Sequence, residues 1–304
     1  MGIAISAFQQ RIESGKPILV FELSPPQAAD ATAVREQARR AAGKVHALGI
    51  SDNRERVSMS ALAAATVVLA EGVEPILHVV TRDRNRIALV SDCLGAQALG
   101  VRNVLCTSGT HQTLGAYRQA RNVFDLDSVQ LIETFAGLAK SAAVVGEKML
   151  ASGPLCLGGV ASPFADPAEL QLAKLEKKIQ AGAKFLITQP VYDIQRFEAW
   201  WGEVTKRRMH QRVAILAGVR PLADADQARE LAARRPPAVI PEAVLSRLAA
   251  KADRAAQRAE GIAVAVETIR RLGKLPGLRG FEVCADGQPD AAWEVIEKSG
   301  VEVK

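Results

Sequence analysis

The sequence lacks the long apolar segments that membrane proteins need. No stretch of its 304 residues approaches the roughly 18 uninterrupted apolar residues of a membrane-spanning helix. Residues 1–17 predict an amphipathic helix that ends at Gly15, and they show no cleavable signal pattern. We therefore expect no membrane insertion and a cytoplasmic location.

Cysteine is scarce and widely spaced. The four cysteines include no C-x-x-C pair, so the common zinc and dithiol motifs are excluded; they are Cys93, Cys106, Cys156 and Cys284. Most of them fall within apolar runs, where cysteine behaves as a small buried hydrophobe. We expect inert thiols and no metal site.

Aromatic residues are also few, at 4% of the chain, and the net charge of +6 is spread along many helices. A nucleic-acid surface needs concentrated basic residues interleaved with aromatic ones, so we expect no nucleic-acid partner. The basic surplus remains compatible with an anionic small molecule. The chain further lacks the motifs G-x-x-x-x-G-K-[ST], G-x-G-x-x-G, H-E-x-x-H and G-x-S-x-G, which excludes the usual nucleotide, zinc-protease and serine-hydrolase sites.

What the sequence does contain is a regular alternation of short apolar runs and helical patterns. Near-continuous apolar runs are typical of parallel strands that are covered on both faces. Eight strand–helix units predict an α/β fold, a (β/α)8 TIM barrel forming one domain over residues 1–304, with an open doubly wound sheet as the alternative. The predicted strands are 18–23, 45–51, 75–81, 103–108, 155–162, 185–189, 213–219 and 280–285.

Two connections are longer than most strand–helix loops. One is the segment 109–126 after the fourth strand, and the other is an extra helical excursion between strands seven and eight.

Ligands of barrel enzymes bind at the carboxyl ends of the strands, so polar residues there are candidates for a site. They are Glu22, Ser24, Ser51, Asp52, Asn53, His78, Thr81, Thr107 to His111, Ser162, Gln189, Tyr192 and Arg220.

Each of the main candidates allows two interpretations. Glu22 interrupts an apolar strand, where burial would raise its pKa and suit it to act as a general acid, or it pairs with a neighbouring arginine. Gln189 offers an amide to a heterocycle or caps its own loop. His78 is a satisfied core residue or a ligand contact. Arg220 binds a carboxylate or phosphate, or forms a salt bridge to a covering helix.

These strand ends, in this order, resemble the methylenetetrahydrofolate reductase family, especially its short, single-domain bacterial forms of the acetogen-like type. The likeness runs from about residue 15 to the end of the chain. It is carried by FELSPP, SDNRERVSMSALAAA, PILHVVTRDRNRIALVSDCLGAQALGVRNVLCTSG, RNVFDLDSVQL, GGVASPFADPAEL, LEKKIQAGAKFLITQPVYD and LAGVRPL.

The resemblance implies a flavoprotein of one-carbon metabolism and methionine biosynthesis. It would hold FAD, with FMN as the alternative, and would take electrons from NADH or NADPH to convert 5,10-methylenetetrahydrofolate into 5-methyltetrahydrofolate. We also expect a homo-oligomer. The implied general acid is Glu22 and the implied pterin contact is Gln189, and we also expect Tyr192, Thr110 and Arg220 to contact substrate. The implied cofactor residues are His78, Thr81, Ser108, Gly109, Thr110, Phe124, Asp125 and Lys178, and we expect Ser51 to join them.

The chain departs from the family pattern at two positions. Thr110 follows Gly109 where the family carries an aspartate, and Ala225 stands where many members have a stacking phenylalanine. Two further hypotheses stay open, and the missing aspartate bears on the first. One is a non-redox folate-binding or methyl-handling barrel. The other is a flavin subunit that receives electrons from an iron–sulfur partner. The partner would have to supply the cluster, because the chain has no cluster motif of its own.

Overall fold

A computed structural model describes residues 5–54, 56–140, 153–234 and 238–303, together with two two-residue strands at 143–144 and 147–148. Eight parallel strands close into a barrel with the order β1-β8-β7-β6-β5-β4-β3-β2. The predicted (β/α)8 fold is confirmed, and the open-sheet alternative is wrong. The strands are β1 Ile18–Leu23, β2 Ala47–Ile50, β3 Pro75–Val80, β4 Asn103–Thr107, β5 Cys156–Ala161, β6 Phe185–Pro190, β7 Ala214–Val219 and β8 Gly280–Cys284.

The helices surround the barrel and follow their strands in turn. Between β7 and β8 the chain forms three helices, α8 to α10, which confirms the predicted helical excursion. The helices are α1 Ala7–Glu13, α2 Thr32–Ala41, α3 Ala61–Ala70, α4 Arg86–Ala98, α5 Ser128–Ala139, α6 Ala168–Ala181, α7 Ile194–Lys206, α8 Ala225–Ala233, α9 Glu242–Ala249, α10 Arg254–Leu272 and α11 Pro289–Ser299. None of the described helices is long and apolar enough to cross a membrane.

The alternation of side chains along each strand divides the core into two layers. In β1, Leu19 and Phe21 pack outward against the helices, whereas Ile18 and Val20 pack inside the barrel. Helix α1 closes the amino-terminal end of the barrel, with the ring of Phe8 edge-on to Phe185 at 5.2 Å. Glu22 occupies the next inward position of β1. The inward side chains of this strand therefore change from apolar to polar at its carboxyl end.

Candidate functional site

Two adjoining cavities lie at the carboxyl ends of the strands. The inner cavity, of about 410 Å³, lies directly above the apolar filling of the barrel. The outer cavity, of about 900 Å³, lies above it under the loop that follows β4. Both are within the usual size range of ligand sites. They share the lining residues Arg54, Arg82, Thr110, Gln189 and Pro190, so one elongated ligand could occupy both.

Glu22 lies buried in the inner cavity and pairs with Arg54. One guanidinium nitrogen of Arg54 donates to both carboxylate oxygens of Glu22, at 3.0 and 2.8 Å. Burial is the largest influence on the pKa of Glu22 and would raise it, but Arg54, His78 and a hydrogen bond from Cys284 together outweigh burial, so the pKa is lowered. The contacts of the free protein are therefore those of the arginine-paired interpretation, and the acid role of Glu22 stays a prediction.

A second buried acid, Glu282, lies beside Glu22. The inward positions of β8 are Glu282 and Cys284, and the side-chain oxygens and sulfur of Glu22, Glu282 and Cys284 all lie within 4.8 Å of one another. Burial and the charge of Glu22 raise the pKa of Glu282 well above its usual range. His78 lies opposite, with Nε2 4.0 Å from Glu282 Oε1, and burial lowers the pKa of His78 to about 4. The imidazole is therefore neutral at pH 7.

Besides His78 and Thr110, four of the predicted cofactor residues line the inner cavity. Ser51 donates from Oγ to Ser24 Oγ at 3.2 Å, and Ser108 Oγ accepts from the backbone N–H of Ser128 at 3.2 Å. Lys178 donates from Nζ to the carbonyl of Val160 at 2.6 Å. Burial lowers the pKa of Lys178 to about 8, so the ammonium still predominates at pH 7.

The fourth, Gly109, allows the chain to turn sharply beside the cavity. Its φ of +80° favours glycine, and an added Cβ would lie 2.6 Å from Val80 Cγ1. Arg82 fixes this turn, because Nη1 donates to the carbonyl of Thr110 at 3.2 Å and Nη2 to the carbonyl of Asn53 at 2.8 Å. The side chain of Thr110 is thus held at the junction of the two cavities.

The predicted substrate residues lie at the same junction or above it. The amide of Gln189 faces both cavities and has no hydrogen-bond partner among the described residues. Tyr192 lines the outer cavity with a buried, unpartnered hydroxyl, and it packs near Ala225. Arg220 also lines it, but forms an ion pair with Asp286, which lies in the turn after β8 and not on a covering helix.

The outer cavity is strongly basic. Asp83 is the one acidic group among its described lining residues. Three of its arginines, Arg56, Arg118 and Arg121, form no hydrogen bond or ion pair with the described residues. The lining arginines are Arg54, Arg56, Arg82, Arg118, Arg121, Arg220 and Arg234. An anionic ligand would compensate this charge.

Comparison with known protein families confirms the resemblance seen in the sequence. The sequence model of a known family, described as methylenetetrahydrofolate reductase, matches residues 7–300. The chain belongs to the methylenetetrahydrofolate reductase family. Among curated proteins, no match to this reductase-family chain was found.

Solved structures share the barrel fold with this member of the reductase family. An uncharacterized protein from Clostridium thermocellum that binds two copies of 5-methyl-5,6,7,8-tetrahydrofolic acid has a TM-score of 0.67 at 14% identity, over 97% of this chain and 98% of that one. An F420-dependent secondary alcohol dehydrogenase, in complex with an F420-acetone adduct, has a TM-score of 0.52 at 15% identity, over 94% and 100%. At these identities the likeness concerns the fold alone.

Three residues that the family resemblance suggests for the cofactor lie outside both cavities. Thr81 is fully buried beyond β3, and its hydroxyl has no partner. Asp125 accepts from Arg86 Nη2 at 2.8 Å, and the exposed ring of Phe124 lies 6.3 Å from that of His111. Their roles stay predictions.

Among the inner-cavity residues that the sequence did not single out are Arg54, Glu282 and Cys284. Glu282 carries the same signal that singled out Glu22, because it is an acid inside an apolar strand. Cys284 was expected to be an inert thiol, and it is buried as expected. Arg54 lies in a loop, where no periodicity indicates the direction of a side chain.

Proposed function

We propose that the protein reduces 5,10-methylenetetrahydrofolate to 5-methyltetrahydrofolate with a bound flavin that NADH or NADPH reduces. The observation that carries this proposal is the common placement of Glu22 and Gln189. A buried carboxyl group and an unpartnered amide face one cavity at the strand ends of a reductase-family barrel. Together they offer a proton carrier and a heterocycle contact.

The inner cavity fits a flavin chemically. Its lower wall is apolar, formed by Leu105, Val160 and Ile187, and hydroxyl and amide groups surround its upper edge. A flat aromatic ring with a polar rim matches that division. Lys178 would hold an anionic phosphate of the cofactor, and the adjoining outer cavity leaves room for the longer FAD as well as FMN. When bound, the flavin would carry hydride from the nicotinamide to the folate.

The folate would extend from the inner into the outer cavity. Gln189 would contact the pterin with its free amide, and Tyr192 would lie against the middle of the molecule. The glutamate carboxylates of folate would reach Arg56, Arg118 and Arg121, which are unpaired among the described residues. Tetrahydrofolate binding by the Clostridium thermocellum barrel supports a ligand of this class.

Glu22 would deliver the proton that opens the five-membered ring of the substrate. The departing nitrogen must be protonated before the methylene carbon can accept hydride. In the free protein Arg54 keeps Glu22 ionised, so the carboxylate has to receive a proton before it can donate one.

The visible spectrum of the purified protein tests the proposal. We expect a flavin band that NADH or NADPH bleaches, and oxidation of 5-methyltetrahydrofolate when an artificial electron acceptor is added. If only the folate reaction occurs, the electron donor is a protein, such as an iron–sulfur partner. A colourless protein that retains no flavin after reconstitution and oxidises no methyltetrahydrofolate would overturn the proposal.

Thr110 favours a second candidate, a non-redox barrel that binds or transfers methylfolate. Thr110 lines both cavities and carries no charge, so it cannot stabilise a cationic folate intermediate as a carboxylate would. This candidate predicts tight methyltetrahydrofolate binding without flavin reduction. Bleaching of a bound flavin by NADH or NADPH would exclude it.

A further inference from the structure

The buried cluster of Glu22, Glu282 and Cys284 has more acidic groups than its cation can neutralise. Arg54 is the positive charge that faces it, and both oxygens of Glu22 already accept from that guanidinium. His78 faces the cluster from β3 and is neutral at pH 7. Since one cation balances one carboxylate, the second carboxyl group is favoured as the neutral acid.

The geometry identifies Glu282 as that neutral acid. Its Oε1 is buried without a hydrogen-bond partner, and its Oε2 lies 4.0 Å from Cys284 Sγ. Gly49 of β2 leaves room for this carboxyl group, since an added Cβ there would lie 3.1 Å from Glu282 Oε1 and 3.0 Å from His78 Nε2. Burial and the neighbouring Glu22 raise the pKa of Glu282 well above its usual range.

Cys284 connects the two carboxyl groups. It is the partner of Glu22 in the pairing of β1 with β8, and its thiol hydrogen bonds with the Glu22 side chain. Burial raises the pKa of this thiol, so it stays protonated and can donate and accept in one chain of groups. Because Arg54 occupies both oxygens of Glu22, the cluster is better suited to hold a proton than a metal ion.

We propose that Glu282 stores the proton that Glu22 delivers to the folate, with the thiol of Cys284 between them. The inference rests on the proposed reductase function and adds a positioning residue that acts through Glu22. The proton moves from Glu282 to Glu22 and then to the departing nitrogen of the substrate. The carbon–nitrogen bond breaks with its electron pair on that nitrogen, the methylene carbon accepts hydride, and Glu282 recovers a proton from solvent.

Infrared spectroscopy tests the stored proton without folate or turnover. At neutral pH we expect the carbonyl stretching band of a buried, protonated carboxylic acid in the wild type. The band should disappear in Glu282→Gln and remain in Cys284→Ala, which leaves the acid in place. Absence of the band in the wild type, or its survival in Glu282→Gln, would overturn the inference even if the protein reduces folate.

Kinetics test whether that proton is used. We expect Glu282→Gln to slow methyltetrahydrofolate formation by about 10- to 100-fold at neutral pH, within the range of general acid effects. The rate should recover as the pH falls, because solvent then protonates Glu22 directly. Reduction of the flavin by NADH or NADPH should be unchanged, and Glu282→Asp should restore much of the rate. A Glu282→Gln rate whose pH profile parallels the wild type would overturn the inference.

Discussion

The inner and outer cavities meet at Gln189 and Thr110 but differ in how they are built. The inner cavity is lined in large part by residues at the strand ends, and both of its arginines are paired, Arg54 with Glu22 and Arg82 with Asp83. The outer cavity is lined largely by loops, and several of its arginines have no described partner. Under the proposed function, the strands therefore position the carboxyl groups that transfer the proton, and the loops carry the positive charge that attracts the ligand.

The largest effect on activity should follow from removing the carboxyl group of Glu22. Glu22→Gln should lower folate reduction by about 100-fold or more, because it abolishes proton delivery to the departing nitrogen. Reduction of the flavin by NADH or NADPH should be unchanged, and stopped-flow measurement of the two half-reactions separates them. Equal losses in both would mean that Glu22 has no special role toward folate.

Low pH should destabilise the folded protein through His78. Its pKa of about 4 lies below the ordinary value of 6.5, so the unfolded chain binds more protons than the folded one between these values. Stability is therefore lost as the pH falls from 6.5 to 4, by about 2–3 kcal/mol from this group. Urea unfolding should show this loss relative to His78→Gln, with exposed His111→Gln as control. Parallel pH profiles of wild type and His78→Gln would contradict the prediction.

The turn at Gly109, beside the junction of the two cavities, should contribute to the stability of the protein. Gly109→Ala should destabilise the protein by about 1–3 kcal/mol, because alanine is strained at its positive φ and its Cβ would contact Val80. Gly72 has a φ of +76° with no atom within 4 Å of an added Cβ, so Gly72→Ala measures the backbone strain alone. The Gly109 variant should be the less stable of the two in thermal unfolding.

Substitutions of arginines in the outer cavity should lower the affinity for folate. Replacing Arg118 or Arg121 with glutamine should raise the KM for folate by up to about fivefold each, the upper range for an exposed charge pair. The kcat should not change, and the effect should shrink at high salt. Arg35→Gln, on the outer face of α2, is the matched control. A fall in kcat at constant KM would place these arginines in the chemistry instead.

The smallest effect should come from Thr110, which borders both cavities. Thr110→Asp restores the charge that the family carries and should raise the rate of folate reduction a few-fold, because a nearby carboxylate stabilises a cationic intermediate. Thr110→Asn has the same size without the charge and should leave the rate unchanged. A loss of activity in the aspartate variant would mean that threonine is fitted to another task.

The sequence predicted the barrel well because each strand is a separate apolar run. All eight observed strands lie within or within one residue of the predicted ones, and polar residues at strand ends, such as Glu22 and Gln189, do face the cavities. Partners across the barrel could not be predicted. Arg54 is 32 residues from Glu22, and its approach depends on the path of a loop. Asp125 likewise forms an ion pair with Arg86 at the start of α4, a contact that the family resemblance does not indicate.

The pairing of β1 with β8 has a consequence for folding, because it joins the first and last strands of the barrel. Glu22 and Glu282 become neighbours only when that seam closes. In the unfolded chain both carboxyl groups are hydrated and ionised at neutral pH, whereas in the barrel the pKa of Glu282 is well above its usual range. Between the ordinary pKa of a glutamate and the raised pKa of Glu282, closing the barrel therefore takes up a proton from water, and the stability of the barrel falls as the pH rises through that range.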